Sequence, residues 1–482
     1  MKVSLRKLVD KYGSMSAPVK ASIWFVVCNV VQKGISLIST PIFTRILTTE
    51  QYGVYSVYQS WYSIIIILAT LNLYAGVCNN GLTKFPAERN VFISSLQGLS
   101  WVFTLGLFLV YLCGRDFWNG ILGLSTIFVI AMFLQAFFEP GYLFWTISQR
   151  YDYKYKGILV TTLIMAIGSP LLGIVTVLHT TYKAEARVLS YVFVQVAMGL
   201  VFCIINLMKG RTLYRKDYWK YAIVFNGPLI PHYLSMTILN QSDRIMISSM
   251  VGKSYAAVYS IAYTLAMMMS VVTSAINNSF IPYTYKGLKA KEYKEIRKSA
   301  NILLVLVGVG CTIAMALGPE LIKIFATEEY YEAIWVMPPV AASVFFMFLY
   351  PLFANVEFYY EKTKFVMVAS CIGAAANVLL NYIFIREFGY IAAGYTTLSC
   401  YILFAFAHYW FHKRILKENN ISELYDIRFI FMLSVIILII MMCIAMTYNY
   451  PVIRYSALCL FVLVGIAKRK TVLGILKQIQ SK

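Results

Sequence analysis

Long runs of apolar residues, separated by short polar segments, repeat along the whole chain. A helix needs roughly 20 apolar residues to cross the hydrocarbon core of a bilayer, which is about 30 Å thick. Runs of that length predict spans at residues 20–44, 54–78, 91–113, 120–147, 158–179, 187–208, 221–247, 255–281, 300–324, 334–357, 363–385, 391–412, 428–448 and 451–467. The pattern therefore predicts an all-α membrane protein with about 14 transmembrane helices.

The basic residues of the connecting segments alternate between many and few along the chain. With the N-terminus placed inside, the inside segments hold 32 of the 42 Lys and Arg residues, and the outside segments hold nine. Short loops rich in Lys and Arg stay in the cytoplasm, so we predict that both termini are cytoplasmic. Residues 1–20 are basic and amphipathic and predict a short interfacial helix.

Composition agrees with a membrane protein and argues against several other classes. The 482 residues are 60% hydrophobic and 13% charged, with a mean hydropathy of +0.69, whereas a soluble chain is about 25% charged. The net charge of +21 is predicted to face cytoplasm and anionic lipid, so we predict no nucleic-acid partner. The nine cysteines form no CxxC pair and are typical of buried thiols.

The spans divide into two halves of six. The predicted domains are an N-lobe with spans 1–6, a basic linker, a C-lobe with spans 7–12, and spans 13–14 with a cytoplasmic tail, at residues 1–208, 209–220, 221–416 and 417–482. The stretches EQYGVYS (50–56) and KSYAAVYS (253–260) lie at equivalent places in the two halves. Six spans in each half give both the same orientation, which predicts a parallel repeat.

No enzyme motif is found, and we predict no catalytic activity, cofactor or metal. The Gly252-Lys253-Ser254 sequence resembles the end of a phosphate-binding loop, but Ile247 stands where the first glycine belongs. His408 and His412 have the spacing of a metal-binding pair, without a carboxylate or cysteine to complete the set.

Ionisable and polar residues inside spans are costly and often mark transport pathways. Lys33 lies near the middle of span 1, too far from either membrane surface for its side chain to reach easily. Asn29 shares its helix face, and Gln32 is offset by about 100°. We predict that these three residues line a cavity that binds substrate.

Span 7 contains a matching feature. Gly227, Pro228 and Pro231 interrupt the helical pattern, and His232 follows at a depth similar to that of Lys33. Backbone carbonyls freed at such a break must face protein or water. His232 is predicted either to line a shared central cavity or to be a hydrogen-bonded core residue.

Charged residues near helix ends have two interpretations each. Asp243 and Arg244 end span 7 at the predicted outer face and Arg45 ends span 1 there, which predicts either a rim salt bridge or an outer gate. The Glu-Pro-Gly sequence at residues 139–141 is predicted to break span 4, and Glu139 is a candidate H⁺ or Na⁺ site. Glu357 is predicted to be interfacial.

Three stretches carry a resemblance to a known family: PIFTRILTTEQYGVYS (41–56), PLIPHYLSMTILNQSDRIMI (228–247) and ANVLLNYIFIREFGYIAAGYTT (376–397). They resemble polysaccharide-repeat-unit (O-antigen or capsule) flippases of the Wzx type, in the multidrug/oligosaccharidyl-lipid/polysaccharide exporter superfamily. The resemblance implies two six-helix lobes in a V around a central basic cavity, plus two C-terminal helices.

The resemblance also implies a function in the bacterial cytoplasmic (inner) membrane. An undecaprenyl-diphosphate-linked oligosaccharide would be moved from the inner to the outer leaflet by alternating access, coupled to an H⁺ or Na⁺ gradient, for surface polysaccharide assembly. Implied partners are membrane lipids and the polymerase and chain-length components of that assembly. The residues carried over are Lys33, Arg45, His232, Asp243 and Arg244. The alternatives are a multidrug/cation antiporter of the same superfamily, or a membrane polysaccharide polymerase or glycosyltransferase.

Overall fold

The computed structural model describes residues 15–421 and 423–467, and all of its regular structure is helical. The helices are α1 (Ala17–Ile46), α2 (Thr49–Thr70), α3 (Gly76–Lys84), α4 (Arg89–Cys113), α5 (Arg115–Leu122), α6 (Thr126–Tyr151), α7 (Tyr155–Leu178), α8 (Lys183–Gly210), α9 (Lys216–Asn226), α10 (Ile230–Met250), α11 (Lys253–Ala266), α12 (Met269–Ala290), α13 (Tyr293–Ala316), α14 (Gly318–Phe325), α15 (Met337–Tyr359), α16 (Thr363–Phe388), α17 (Ala392–Glu418), α18 (Ile427–Met446) and α19 (Pro451–Ala467). Short 3₁₀ helices lie at Gly227–Leu229 and Glu328–Val336. Most of the predicted interfacial helix and the predicted tail at 468–482 lie outside the described residues.

The prediction of an all-α membrane protein is confirmed. Among the described residues, ten helices are long and apolar enough to cross a membrane, or eleven if α11 and α12, which meet at a 42° bend, form one span. The remaining predicted spans fall on α2, α17 and α19, which do not reach that length and hydropathy. The chain is therefore a multi-pass membrane protein.

The chain folds into two compact units, Met1–Leu234 and Ser235–Lys482, called unit 1 and unit 2 below. The division lies inside α10 rather than in the basic segment 209–220. As a result, His232 groups with unit 1 and Asp243 with unit 2. The predicted N-lobe and C-lobe boundaries stay a prediction.

The interrupted helix predicted for span 7 is present. Helix α9 ends at Asn226, the 3₁₀ turn Gly227–Leu229 follows, and α10 begins at Ile230. The break has a local cause, because the ring of Pro228 fixes its own backbone and supplies no N–H to continue the helix. Beside the interruption, the side-chain amide of Asn226 donates to the carbonyl of Leu71, which links the end of α9 to the residue after α2.

The break predicted for span 4 is wrong. Helix α6 is continuous from Thr126 to Tyr151 with Pro140 inside it. A proline inside a membrane helix is tolerated where neighbours satisfy the backbone. Here the indole N–H of Trp101 donates to the carbonyl of Phe137 at 2.9 Å, and the Cys203 thiol lies 3.4 Å from the carbonyl of Phe138.

Helices α6 and α8 approach each other very closely in unit 1. A Cβ added at Gly141 would lie 2.4 Å from Cys203 Sγ, and one added at Gly199 would lie 2.5 Å from the carbonyl of Phe138. Small residues of this kind let membrane helices pack backbone against backbone. Asn206 fastens the contact by donating to the carbonyl of Gly141 at 2.9 Å.

In unit 2, α15 is the central helix. Within the 3₁₀ turn and α15 taken together, 83% of the residues in the most apolar stretch are buried. Helix α15 packs against α13, α17 and α18. The last two helices are fastened to this core by polar contacts. The Tyr448 hydroxyl donates to the carbonyl of Met315 at 2.7 Å, and buried Arg454 forms an ion pair with Glu320.

Candidate functional site

A buried polar cluster in unit 2 is built around Asp243, whose side chain is 0% exposed. Its Oδ2 accepts hydrogen bonds from the Tyr259 hydroxyl at 2.6 Å and from the Thr397 hydroxyl at 2.7 Å. Its Oδ1 accepts from the side-chain amides of Asn381 at 2.6 Å and Asn377 at 3.3 Å. Four donors therefore satisfy both oxygens of this buried carboxyl group, which removes the cost of leaving a buried polar group without a partner.

Four helices bring these groups together. Asp243 lies on α10, Tyr259 on α11, and Thr397 on α17. Asn377 and Asn381 are four residues apart on α16, a spacing that places both on one helix face. The cluster thus joins four helices of unit 2 at one carboxylate.

A second layer orients the two amides. Asn377 Oδ1 accepts from the Ser242 hydroxyl at 2.5 Å, and Asn381 Oδ1 accepts from the Thr396 hydroxyl. Each amide therefore turns its NH₂ toward Asp243 and its carbonyl toward a hydroxyl. Rotating either amide would bring a second oxygen next to the carboxylate, which is favourable only if a positive charge lies between them.

The cluster has the chemistry of a small-cation or proton site. Carboxylate, amide carbonyl and hydroxyl oxygens are the ligands that hard cations prefer. The cluster contains one carboxylate, so one proton or one monovalent cation would balance its charge. Within residues 15–421 and 423–467, no group of three or more His, Cys, Asp or Glu side chains is close enough to hold a metal ion.

The predicted position of Asp243 and Arg244 at a helix end is corrected. Helix α10 continues to Met250, and both side chains are buried inside unit 2. Arg244 donates to the carbonyl of Asn240 at 2.9 Å and to Gln241 Oε1 at 3.1 Å, and its guanidinium lies 4.4 Å from the centre of the Tyr263 ring. In the described part of the chain the two residues form no ion pair at the rim.

Glu139 has a different setting in unit 1. Its Oε2 accepts from the Tyr62 hydroxyl at 2.5 Å and from the amide of Gln135, one turn earlier on α6, at 2.7 Å. Gln135 in turn accepts from the Tyr58 hydroxyl at 2.9 Å. The side chain of Glu139 is half-buried rather than fully enclosed. It remains a candidate for ion coupling.

The other predicted site residues lie in unit 1. The side chains of Asn29, Gln32 and Lys33 are exposed on α1. Only 11% of the residues in the apolar stretch of this helix are buried. Arg45 is exposed and donates to the carbonyl of Pro41, one turn earlier, at 2.6 Å. His232 is half-buried. These residues are not brought into the Asp243 cluster, and their roles in binding substrate stay predictions.

Two family sequence models match the chain. The first describes the family named Polysaccharide biosynthesis protein and matches residues 19–288, more than half of the sequence. The chain belongs to this family. The second describes the MatE family and matches residues 228–383, from the interrupted helix to the end of the asparagine pair on α16. The predicted resemblance is confirmed at the level of the family.

Relatives of this polysaccharide biosynthesis protein are distant but nearly full in length. "Lsg locus putative protein 1" of Haemophilus influenzae is 22% identical, covering 77% of this chain and 93% of the relative. "Putative O-antigen transporter" of Shigella flexneri is 21% identical, covering 82% and 98%. Among solved structures, the lipid II flippase MurJ in an inward closed conformation matches with a TM-score of 0.64 at 14% identity, covering 93% of this chain and all of MurJ. The fold of this family member is thus that of a membrane transporter.

One buried pair in this polysaccharide biosynthesis protein was missed by the sequence analysis. Glu357, predicted to be interfacial, is fully buried in α15, and its Oε1 lies 2.9 Å from Nδ1 of buried His408. Its position four residues from Glu361, near a helix end, hid this burial. The pair joins α15 to α17, and His412 is buried one turn further on, so the two histidines face the helix core of unit 2.

Proposed function

We propose that this protein is a flippase that turns an undecaprenyl-diphosphate-linked oligosaccharide from the inner to the outer leaflet of a bacterial cytoplasmic membrane. The family match and a relative named as an O-antigen transporter support polysaccharide export. The fold shared with a lipid II flippase supports a lipid-linked substrate. The product would then enter surface polysaccharide assembly by polymerase and chain-length components.

The main evidence for an anionic substrate is the position of Lys33. An ammonium group lies exposed in the middle of a 30-residue helix, where an unpaired charge costs about 2.5–3.5 kcal/mol on insertion scales. In the described residues it has no hydrogen-bond or ion-pair partner that offsets this cost. A pyrophosphate passing that depth would supply the missing negative charge, whereas a cationic drug would be repelled.

Coupling to an ion gradient is proposed to act through the Asp243 cluster. Binding of H⁺ or Na⁺ would neutralise the carboxylate and favour a rotated amide of Asn377 or Asn381. Because the ligands lie on four helices, the change in charge would alter how α10, α11, α16 and α17 pack. A conformational change needs this kind of differential interaction between two states.

The runner-up is a multidrug/cation antiporter, and one finding favours it. The MatE family model matches the part of the chain that holds Asp243, Asn377 and Asn381. An ion site there would suit either kind of carrier. The two functions differ in the charge of the substrate, so Lys33 is the residue that separates them.

The test is complementation of a flippase-deficient strain. The first readout is surface polysaccharide, and the second readout is the efflux of fluorescent cations from the same cells. The flippase proposal expects polysaccharide to be restored and cation efflux to stay at the background level. Cation efflux without restored polysaccharide would favour the antiporter. Complementation in strains that make different repeat units would define which oligosaccharide is accepted.

The orientation in the membrane is part of this proposal. Tags in residues 209–220 and 282–299 are expected to report a cytoplasmic location, and a tag near residue 328 an outside location. The physical basis is the 32-to-9 division of basic residues between the two sides. Labelling of intact cells with an impermeant reagent measures which side of the membrane each segment faces. A reversed pattern would contradict the proposed movement of substrate from the inner to the outer leaflet.

A further inference from the structure

A groove lies where α17 ends and α18 begins, entirely within unit 2. Its cavity is about 960 Å³ in volume. Its walls include Phe406, Trp410, Lys413 and Lys417 from α17, and Ile427 from the first turn of α18. The charge distribution predicts that this end of both helices faces the cytoplasm.

The α17 wall is an amphipathic stripe. Residues 406, 410, 413 and 417 recur at the three- and four-residue intervals that share one helix face. The end toward the membrane centre is apolar, with Phe406 58% and Trp410 65% exposed. The other end carries the exposed ammonium groups of Lys413 and Lys417. Tryptophan followed by lysine is typical of a helix that passes from hydrocarbon into the headgroup layer.

The carboxylates near these two lysines are paired with other basic residues. Arg414 donates to Glu418 at 3.2 Å, and Lys362 lies 3.1 Å from the same carboxyl group. Hydrogen bonds from Lys362 and Arg414 lower the pKa of Glu418, so that carboxylate is charged and occupied. Glu423, also on the groove wall, lies 3.9 Å from Arg297. In the described ranges Lys413 and Lys417 form no ion pair.

We propose that this groove binds an anionic glycerophospholipid of the cytoplasmic leaflet. Its phosphate would lie between Lys413 and Lys417, and one acyl chain would run along Phe406 and Trp410. Basic pockets between transmembrane helices on the cytoplasmic side bind anionic headgroups, and glycerophospholipids are the anionic species in excess there. The lipid fills the space between α17 and α18. Lipid binding in this groove does not depend on which substrate is transported.

The experiment measures lipids retained by the purified full-length protein. Protein in nanodiscs of phosphatidylglycerol and phosphatidylcholine is extracted into mild detergent, and bound lipid is counted by native mass spectrometry. We expect wild-type protein to retain phosphatidylglycerol selectively. The variant Lys413→Gln with Lys417→Gln is expected to bind it about 30-fold more weakly, because each lysine near the surface contributes to anionic-lipid attraction.

Two controls keep the result interpretable. Lys286→Gln with Lys289→Gln removes two exposed lysines from the predicted cytoplasmic end of α12 and should leave retention unchanged. Lys413→Arg with Lys417→Arg keeps both charges and should retain the lipid, which separates loss of binding from loss of folding. Equal retention by wild type and the glutamine variant would overturn the proposal.

Competition distinguishes the source of the phosphate. Undecaprenyl phosphate added in equal amount should displace little phosphatidylglycerol from the groove. If it displaces most of it, and the glutamine variant abolishes that displacement, the groove is a docking site for polyprenyl lipid and the glycerophospholipid assignment is wrong. Failure of flippase complementation would leave the lipid result unaffected, so the two proposals are tested separately.

Discussion

The two units each hold a carboxylate inside the helical core, and the two are held in different ways. Asp243 in unit 2 is fully buried, with four hydrogen-bond donors from three other helices. Glu139 in unit 1 is half-buried, with one donor from its own helix and one from α2. A change of charge at Asp243 therefore alters four helices, and one at Glu139 alters two. On this comparison we propose that ion coupling acts through unit 2.

The largest effect is expected from Asp243→Asn. The side chain keeps its shape, but the charge that would bind H⁺ or Na⁺ is gone, and coupling energies of this kind correspond to changes of up to about 100-fold. We expect surface polysaccharide in the complemented strain to fall by that order, with membrane levels of the protein unchanged. Asp243→Glu should recover part of the activity. Full activity of Asp243→Asn would show that transport does not need the charge at Asp243.

A smaller loss, roughly tenfold, is expected for Lys33→Gln, because a hydrogen bond to a charged group contributes about 1.5 kcal/mol or more. The ammonium acts as a point charge toward the substrate, so Lys33→Arg should keep partial activity. The variant should still insert, because removing a mid-membrane charge lowers the insertion cost. Polysaccharide yield normalised to protein level is the measurement. Normal yield from a well-expressed Lys33→Gln would refute contact with the pyrophosphate.

The smallest effect is expected for Glu139→Gln. Glutamine can still accept the hydrogen bond from Tyr62 and remain beside Gln135, so the local structure is kept. We expect transport within about fivefold of wild type, since one hydrogen bond contributes only about 1 kcal/mol. Proteoliposome transport driven by an imposed Na⁺ or H⁺ gradient measures it. A loss as severe as that of Asp243→Asn would move ion coupling to unit 1.

Much of the fold could be predicted from the sequence because each helix is specified by its own residues. Apolar runs of membrane length located the helices, and Gly227 and Pro228 located the interruption before α10. The break predicted at Pro140 failed because the residues that satisfy the backbone there, Trp101 and Cys203, come from other helices. Local sequence reports helix-breaking tendency, not the neighbours that offset it.

The candidate site was predicted only in part, for a related reason. Asp243 was identified as a residue of interest, but its burial depends on Tyr259, Asn377 and Thr397, which are up to 154 residues away. Hydropathy does not tell which faces of distant helices meet. One signal was available: Asn377 and Asn381 stand four apart in an apolar run and mark a polar face on α16. Glu357 was misplaced because its partner His408 lies on α17.

The close approach at Gly141 and Gly199 has a mechanical consequence. Two helices whose backbones are in contact cannot slide past each other without collision of main-chain atoms, because packed interiors resist compression. Helices α6 and α8 should therefore move together as one rigid body. Between α1 and α7, by contrast, the rings of Trp24 and Tyr155 stack with their centres 5.9 Å apart, and side chains of this kind can change rotamer to absorb a displacement.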